Sequence, residues 1–352
     1  MRGWPALLLV GWVSGASADR APPYLVNDCH FHLTNYIQEG TDIKTYVGLM
    51  GDKVGRTAIF GIPLQQTWSH GESGDRAPTY YLQSDAPLYY YSFVDAHIAM
   101  AYRSLPKAQQ ARLDPMITGF NPADMYAADQ IRRVLETFPG VFTGIGEFTI
   151  HKEFVSAKVA GEHASLRDPA LDRLLDFAAE VGLVVLIHSD IDVPFPKPGE
   201  PPAHLEDMIA VFKRHPKTTF IWAHVGLGRI IRPIGDHGAS VRRILEDPAL
   251  ANVSFDISWN ETAKYLTAND EALKLASEIL NRYPDRFIFG TDEVAPKDQD
   301  KYLAVYHQYE PLWKLLDKQT SEKVRLRNYE RIFDEGRRRV RAWEKAHPAP
   351  PL

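Results

Sequence analysis

Tyr24-Leu25-Val26-Asn27-Asp28-Cys29-His30-Phe31-His32-Leu33 is an apolar run that ends in two histidines one residue apart. On a β-strand alternate side chains share a face. His30 and His32 are therefore predicted to project together from a strand end, with Asp28 on the same side. Two imidazoles so placed offer paired nitrogens to a divalent cation. A lone His-x-His recurs by chance, so the weight falls on what stands at the ends of later apolar runs.

Those runs are regular. Val26–Leu33, Thr57–Leu64, Met116–Asn121, Phe142–Ile150, Val184–Ser189, Thr219–His224, Val253–Trp259 and Phe287–Asp292 read as eight strands. Between several of them, Ala128–Phe138, Pro169–Val181, Leu205–His215 and Asp270–Tyr283 carry apolar residues at three- and four-residue spacing, as amphipathic helices do. Strand and helix alternating in this way predict a (β/α)8 TIM barrel of the α/β class over residues 19–352 as a single domain. No glycine-rich dinucleotide turn follows the first run, which argues against a doubly wound sheet. Cys29 is then expected in the barrel wall as a small buried hydrophobe. Trp222 is expected between barrel and helices. A long insertion at about 65–115, rich in tyrosine (Tyr80, Tyr81, Tyr89, Tyr90, Tyr91), is predicted to be a lid or a homodimer contact. The stretch from Ser321 onward reads as closing helices.

The 352 residues, 45% hydrophobic and 24% charged, are enough for a large core. A formal net charge of −5 without a long Lys or Arg run gives no footprint for nucleic acid. The single cysteine excludes an internal disulfide. Met1-Arg2, the apolar stretch Ala6–Val13 and Ala16-Ser17-Ala18 have the pattern of a secretory signal peptide over residues 1–18. The stretch is too short to cross a membrane, which takes about 20 residues. An exported protein without a membrane span is expected.

Barrel enzymes draw their catalytic groups from the C-terminal ends of several strands. Here those ends carry His30 and His32 (first strand), Glu147 (fourth), His188 (fifth), His224 (sixth) and Asp292 (eighth), each a ligand type suited to Zn2+, with Mn2+ or Fe2+ as alternatives. A cation lowers the pKa of the water it holds toward 7, and a carboxylate at Asp292 is placed to act as general base.

The order His-x-His, His, His, Asp resembles the amidohydrolase superfamily. His224-Val225-Gly226-Leu227-Gly228-Arg229, Phe289-Gly290-Thr291-Asp292 and Asn328-Tyr329-Glu330-Arg331-Ile332-Phe333 are similar to its amidohydrolase 2 branch, which includes aminocarboxymuconate semialdehyde decarboxylase and related hydrolases. The resemblance implies that His30, His32 and His188 bind the metal, that Asp292 binds it or hydrogen-bonds its water, and that His224 polarises the substrate or shuttles a proton. Glu147 departs from the simplest one-metal pattern. It is either a ligand, which would allow a binuclear site, or a hydrogen-bonding partner that orients a histidine. One divalent metal is the favoured reading.

Arg229, Lys152, Trp68 and Trp259 are candidate substrate contacts, two cations and two aromatics that suit a small carboxylated molecule. Asp190, Asp192 and Glu293 are expected as solvated carboxylates of the rim. The function expected is metal-dependent hydrolysis of an ester, lactone or amide. Decarboxylation of an aromatic or enol acid is the runner-up, and an inactive exported binding protein is the alternative of another class.

Overall fold

A computed structural model describes residues 24–34, 40–62, 93–152, 165–197, 199–233 and 235–348, and the backbone alone of 67–68, 82–83, 158–159 and 162–163. The predicted signal peptide, the side chain of Trp68 and most of the tyrosine-rich insertion lie outside the described residues. Among those described, no helix is long and apolar enough to cross a membrane.

The strands are β1 (Val26–His32), β2 (Val54–Phe60), β3 (Leu113–Ile117), β4 (Gly144–His151), β5 (Val184–Ser189), β6 (Thr219–Trp222), β7 (Val253–Asp256), β8 (Phe287–Ile288) and a short β9 (Glu293–Val294). They pair in parallel in the order β8-β7-β6-β5-β4-β3-β2-β1-β9. Because β9 continues β8, the two ends of that order are one segment of chain, and the sheet closes on itself. Cys29 N–H donates to Phe289 C=O at 3.1 Å and Asp292 N–H to His30 C=O at 2.7 Å across the seam. A helix follows each strand from β1 onward: α1 (Ile43–Met50), α2 (Phe93–Arg103), α3 (Ala127–Thr137), α4 (Pro169–Val181), α5 (Leu205–Arg214), α6 (His237–Glu246), α7 (Asp270–Arg282) and α8 (Asn328–Ala346), with shorter helices among them. The architecture is the (β/α)8 barrel expected from the alternation.

α4 shows why the helices lie where they do. Asp168 caps it by accepting from Ala170 N–H, Pro169 fills its first turn, and Gly182 ends it with φ 86°. Its buried residues Leu171, Leu174, Leu175, Ala178 and Val181 form the stripe laid on the sheet.

Two hydrophobic layers result. The outer one lies between strands and helices and includes Trp222, Phe212 and Phe255. The inner one fills the barrel with Cys29, Ala58, Phe60, Met116, Val184, Leu186, Ile221, Ala223 and Ile288, and α8 inserts Tyr329, Ile332 and Phe333 into it as a plug.

The parity expected for the start of β1 is inverted. Asp28 pairs with Thr57 but Phe31 with Ile59, three steps on β1 against two on β2. A bulge of one residue turns every side chain before it to the opposite face. Cys29 therefore joins the barrel interior below the histidines. Asp28 faces the outer layer, where it accepts from Tyr302 Oη at 2.9 Å and Thr291 Oγ1 at 2.6 Å.

Candidate metal centre

The strand ends converge on Glu147. Its carboxylate lies 2.7 Å from His188 Nδ1, 3.5 Å from His224 Nε2, 3.6 Å from His32 Nε2 and 3.7 Å from His30 Nε2. Asp292 Oδ1 lies 3.1 Å from His32 Nε2 and 3.3 Å from His30 Nε2. Two glycines make this approach possible. Gly146 has φ 111°, and a Cβ there would stand 2.1 Å from the Leu186 carbonyl oxygen. A Cβ on Gly290 would stand 2.8 Å from that of His30 and 3.0 Å from that of Ser258. Only residues without a side chain let β4 and β8 pass so near their neighbours.

The backbone is strained at the points where ligand-type residues leave the sheet. His224, Val225, Trp259 and Asp292 have φ of 57°, 56°, 76° and 54°. The left-handed region is costly for such residues and persists where surroundings enforce it, typically at functional sites. At Asp292 the enforcement is visible: Asp28 accepts from Thr291 N–H at 2.9 Å and from His30 N–H at 3.0 Å, tying β1 to the turn after β8. Burial pushes the Asp28 carboxyl up to about 6 despite these donors.

Burial sharpens the electrostatics. His30 and His224 are fully buried and His188 nearly so. Burial pulls His30 down, but the carboxylates of Asp292, Glu147 and Asp256 outweigh it and hold the imidazole well above its ordinary value. Burial pushes Asp292 up, yet His30, His32 and His224 hold it far below the usual carboxylate range. Glu147 follows the same pattern, with Lys152 and His30 overcoming burial. At His224 burial prevails and the ring is held neutral.

These residues fit a divalent cation. His30 Nδ1 is held by Asp256 Oδ2 at 2.9 Å, while Nε2 of His30 and Nε2 of His224 are buried without a hydrogen-bond partner. A buried unsatisfied polar atom is costly, and an imidazole fixed through one nitrogen with the other bare is how a histidine is presented to a metal. Two ligand groups are met among the described residues: His30, His32 and Asp292, and His30, Glu147 and His224, the atoms of each within 4.8 Å of one another. His188 stands beside them, with Nδ1 on Glu147 and Nε2 on Asp190 Oδ1 at 3.1 Å. Burial and Lys152 lower its pKa, but Asp190 and Glu147 raise it further.

The mouth is aromatic and cationic. Lys152 Nζ lies 5.5 Å and Arg229 Cζ 5.8 Å from the Trp259 ring centroid, and that ring lies 5.0 Å from His224. Arg229 Nε also lies 3.9 Å from Glu261. Two of the supposed rim carboxylates are buried instead. Asp190 braces His188, and Asp192 Oδ1 accepts from Val193 N–H and Ala203 N–H at 2.8 and 3.0 Å. Asp190 satisfies the second ring nitrogen of His188, and Asp192 satisfies two N–H groups of the loop after β5. Glu293 is partly buried and pairs with Lys301 at 3.1 Å.

Asp256 and Ser258 were not among the expected site residues. The signal lay in their period-two spacing at the end of the seventh run, directly before Trp259.

A sequence profile described as amidohydrolase matches residues 28–334 of this chain. No curated protein sequence matches it. Among solved structures, 2,6-dihydroxybenzoate decarboxylase from Rhizobium is similar at TM-score 0.53 and 13% identity over 88% of this chain and 99% of that one. Dihydroorotase from Campylobacter jejuni is similar at TM-score 0.52 and 12% identity over 88% and 83%. These likenesses concern the fold.

Proposed function

The chain belongs to the amidohydrolase family of metal-dependent enzymes, and on that premise we propose that it hydrolyses an ester, lactone or amide bond of a small carboxylated molecule. The observation that carries this reading is the meeting of His30, His32 and Asp292 around bare, buried imidazole nitrogen. These three residues would hold the cation, with Glu147 and His188 beside them. His30 Nε2 belongs to both ligand groups, and one lone pair serves one cation. That supports a single metal, with Zn2+ favoured and Mn2+ or Fe2+ as alternatives. The cation, when bound, supplies Lewis acidity and a water acidic enough to lose its proton near neutral pH.

The protein's own groups do the rest. Asp292, held ionised beside two imidazoles, accepts the water's proton. His224, neutral and with Nε2 bare, stands across the site as a second proton acceptor. Lys152 and Arg229 draw a substrate carboxylate to the Trp259 ring, which provides a flat apolar wall. The flat, cationic mouth also suits an aromatic acid, which supports decarboxylation as a second reading.

The deciding experiment measures metal content and product together. Metal-stripped protein should lose hydrolysis of carboxylated esters, lactones and amides and regain it on adding Zn2+ or Mn2+. CO2 release from a conjugated acid, with no hydrolysis of any panel member, would replace this reading by the decarboxylase. Export is proposed on the N-terminal pattern, and the mass of the secreted form should lack residues 1–18.

A further inference from the structure

Ser258 has one hydroxyl proton, and Asp256 takes it. Ser258 Oγ donates to Asp256 Oδ1 at 2.7 Å, because an ionised carboxylate can only accept. Lone pairs of the same Oγ then face His30 Nδ1 at 3.1 Å and His224 Nδ1 at 3.0 Å. Two facing acceptors make no hydrogen bond, so each Nδ1 must carry its own proton. Asp256 Oδ2 gives His30 a further acceptor at 2.9 Å. Its Oδ1 also accepts from His224 N–H at 2.8 Å and Ser258 N–H at 3.0 Å, clamping the left-handed turn on which His224 rides.

We propose that Asp256 and Ser258 act as one acceptor unit that fixes His30 and His224 as Nδ1–H tautomers and aims both bare Nε2 atoms into the centre. They are positioning residues. A single carboxylate, relayed through one hydroxyl, sets the ligand histidine on β1 and the proton-accepting histidine after β6 in the same tautomer. A histidine at 224 with the opposite tautomer would present an N–H to Glu147 and have no lone pair facing the centre to accept a proton there. This inference rests on the metal reading of the same site.

The test is 15N NMR of the full chain labelled at histidine and loaded with Zn2+, with His224 assigned by its loss in His224→Gln. The wild type should show the proton on Nδ1 of both His30 and His224. Ser258→Ala takes a neighbour from both rings but leaves His30 on Asp256 Oδ2 at 2.9 Å, whereas His224 Nδ1 is left with Asp256 Oδ1 at 3.7 Å, beyond hydrogen-bond reach. His224 should therefore lose its Nδ1–H signature while His30 keeps it. Asp256→Asn should raise the Zn2+ Kd, read by chelator competition, about 10- to 100-fold. A wild-type His224 protonated on Nε2, or tautomers unchanged in Ser258→Ala, would overturn the proposal, and the first of these is read in the wild type whatever the folding of Ser258→Ala. Wild type that takes up no Zn2+ would instead overturn the metal reading, and the tautomer of the neutral His224 would still be read in the metal-free protein.

Discussion

Two clusters of buried charge occupy opposite ends of the same barrel. At the N-terminal ends of the strands, Asp114 on β3 accepts from Arg56 at 2.7 Å, Tyr329 at 2.8 Å and Arg337 at 2.6 Å. Arg56 also pairs with Asp334. Three of these partners lie on α8, so the cluster bolts the plug to β2 and β3. At the C-terminal ends, His30 and His224 each keep a buried nitrogen without a hydrogen-bond partner, beside carboxylates 3.3–3.7 Å away. A network in which every group is satisfied rigidifies, whereas an unsatisfied buried atom marks a place held for something else. The contrast distinguishes a stabilising cluster from the candidate metal centre at the other end.

The contrast can be broken from either side. Asp292→Asn should lower kcat about 100- to 10,000-fold, the usual span for a lost general base, with its urea midpoint near wild type. A large fall in midpoint instead would show that the reacting end also bears the fold. Asp114→Ala leaves the half-buried Arg56 and Arg337 without their shared, fully buried carboxylate. Its unfolding free energy should drop by about 3–5 kcal/mol, with kcat per folded molecule unchanged.

Asp95 on α2 tests the middle ground. It is buried and accepts from Thr118 N–H and Gly119 N–H at 2.9 Å each, just beyond β3, yet burial pushes its carboxyl up to about 7. The folded state thus holds a proton that the unfolded chain releases near 3.9. Stability from this group is full below about 4, falls as pH rises through 7, and is flat above. Urea titrations should show that slope in wild type and its loss in Asp95→Asn. The smallest effect belongs to the mouth: Arg229→Ala should raise KM about tenfold with kcat kept. A fall in kcat at constant KM would move Arg229 from recognition into the chemistry.

How far the chain could be read without coordinates depended on which physical signal each residue carries. Val184–Ser189 and Pro169–Val181 have the bounds expected, because unbroken apolar runs and periodic stripes record burial directly. By pattern the runs at Thr219, Val253 and Phe287 extend through His224, Trp259 and Asp292, but the strands stop earlier at Trp222, Asp256 and Ile288. Those residues turn left-handed out of the sheet, and hydrophobic patterning is blind to φ. The alternation that placed His30 and His32 together misplaced Asp28, since one bulge residue inverts parity and leaves no mark in composition. Asp190 and Asp192 looked like surface because charge suggests solvent. Their burial follows from donors contributed by the histidine and the loop beside them.

The plug made by α8 has a consequence for how the chain is born. Tyr329, Ile332 and Phe333 complete the interior of a barrel whose first strand supplies two histidines of the centre. β1 must also wait for β9 to close beside it. Synthesis from the N-terminus delivers the histidines first and the stopper last. A nascent chain still tethered short of residue 333 therefore has a tube that lacks its stopper. Acquisition of the native packing belongs to the time after the plug helix is free, as a slow step governed by contacts of the longest sequence separation.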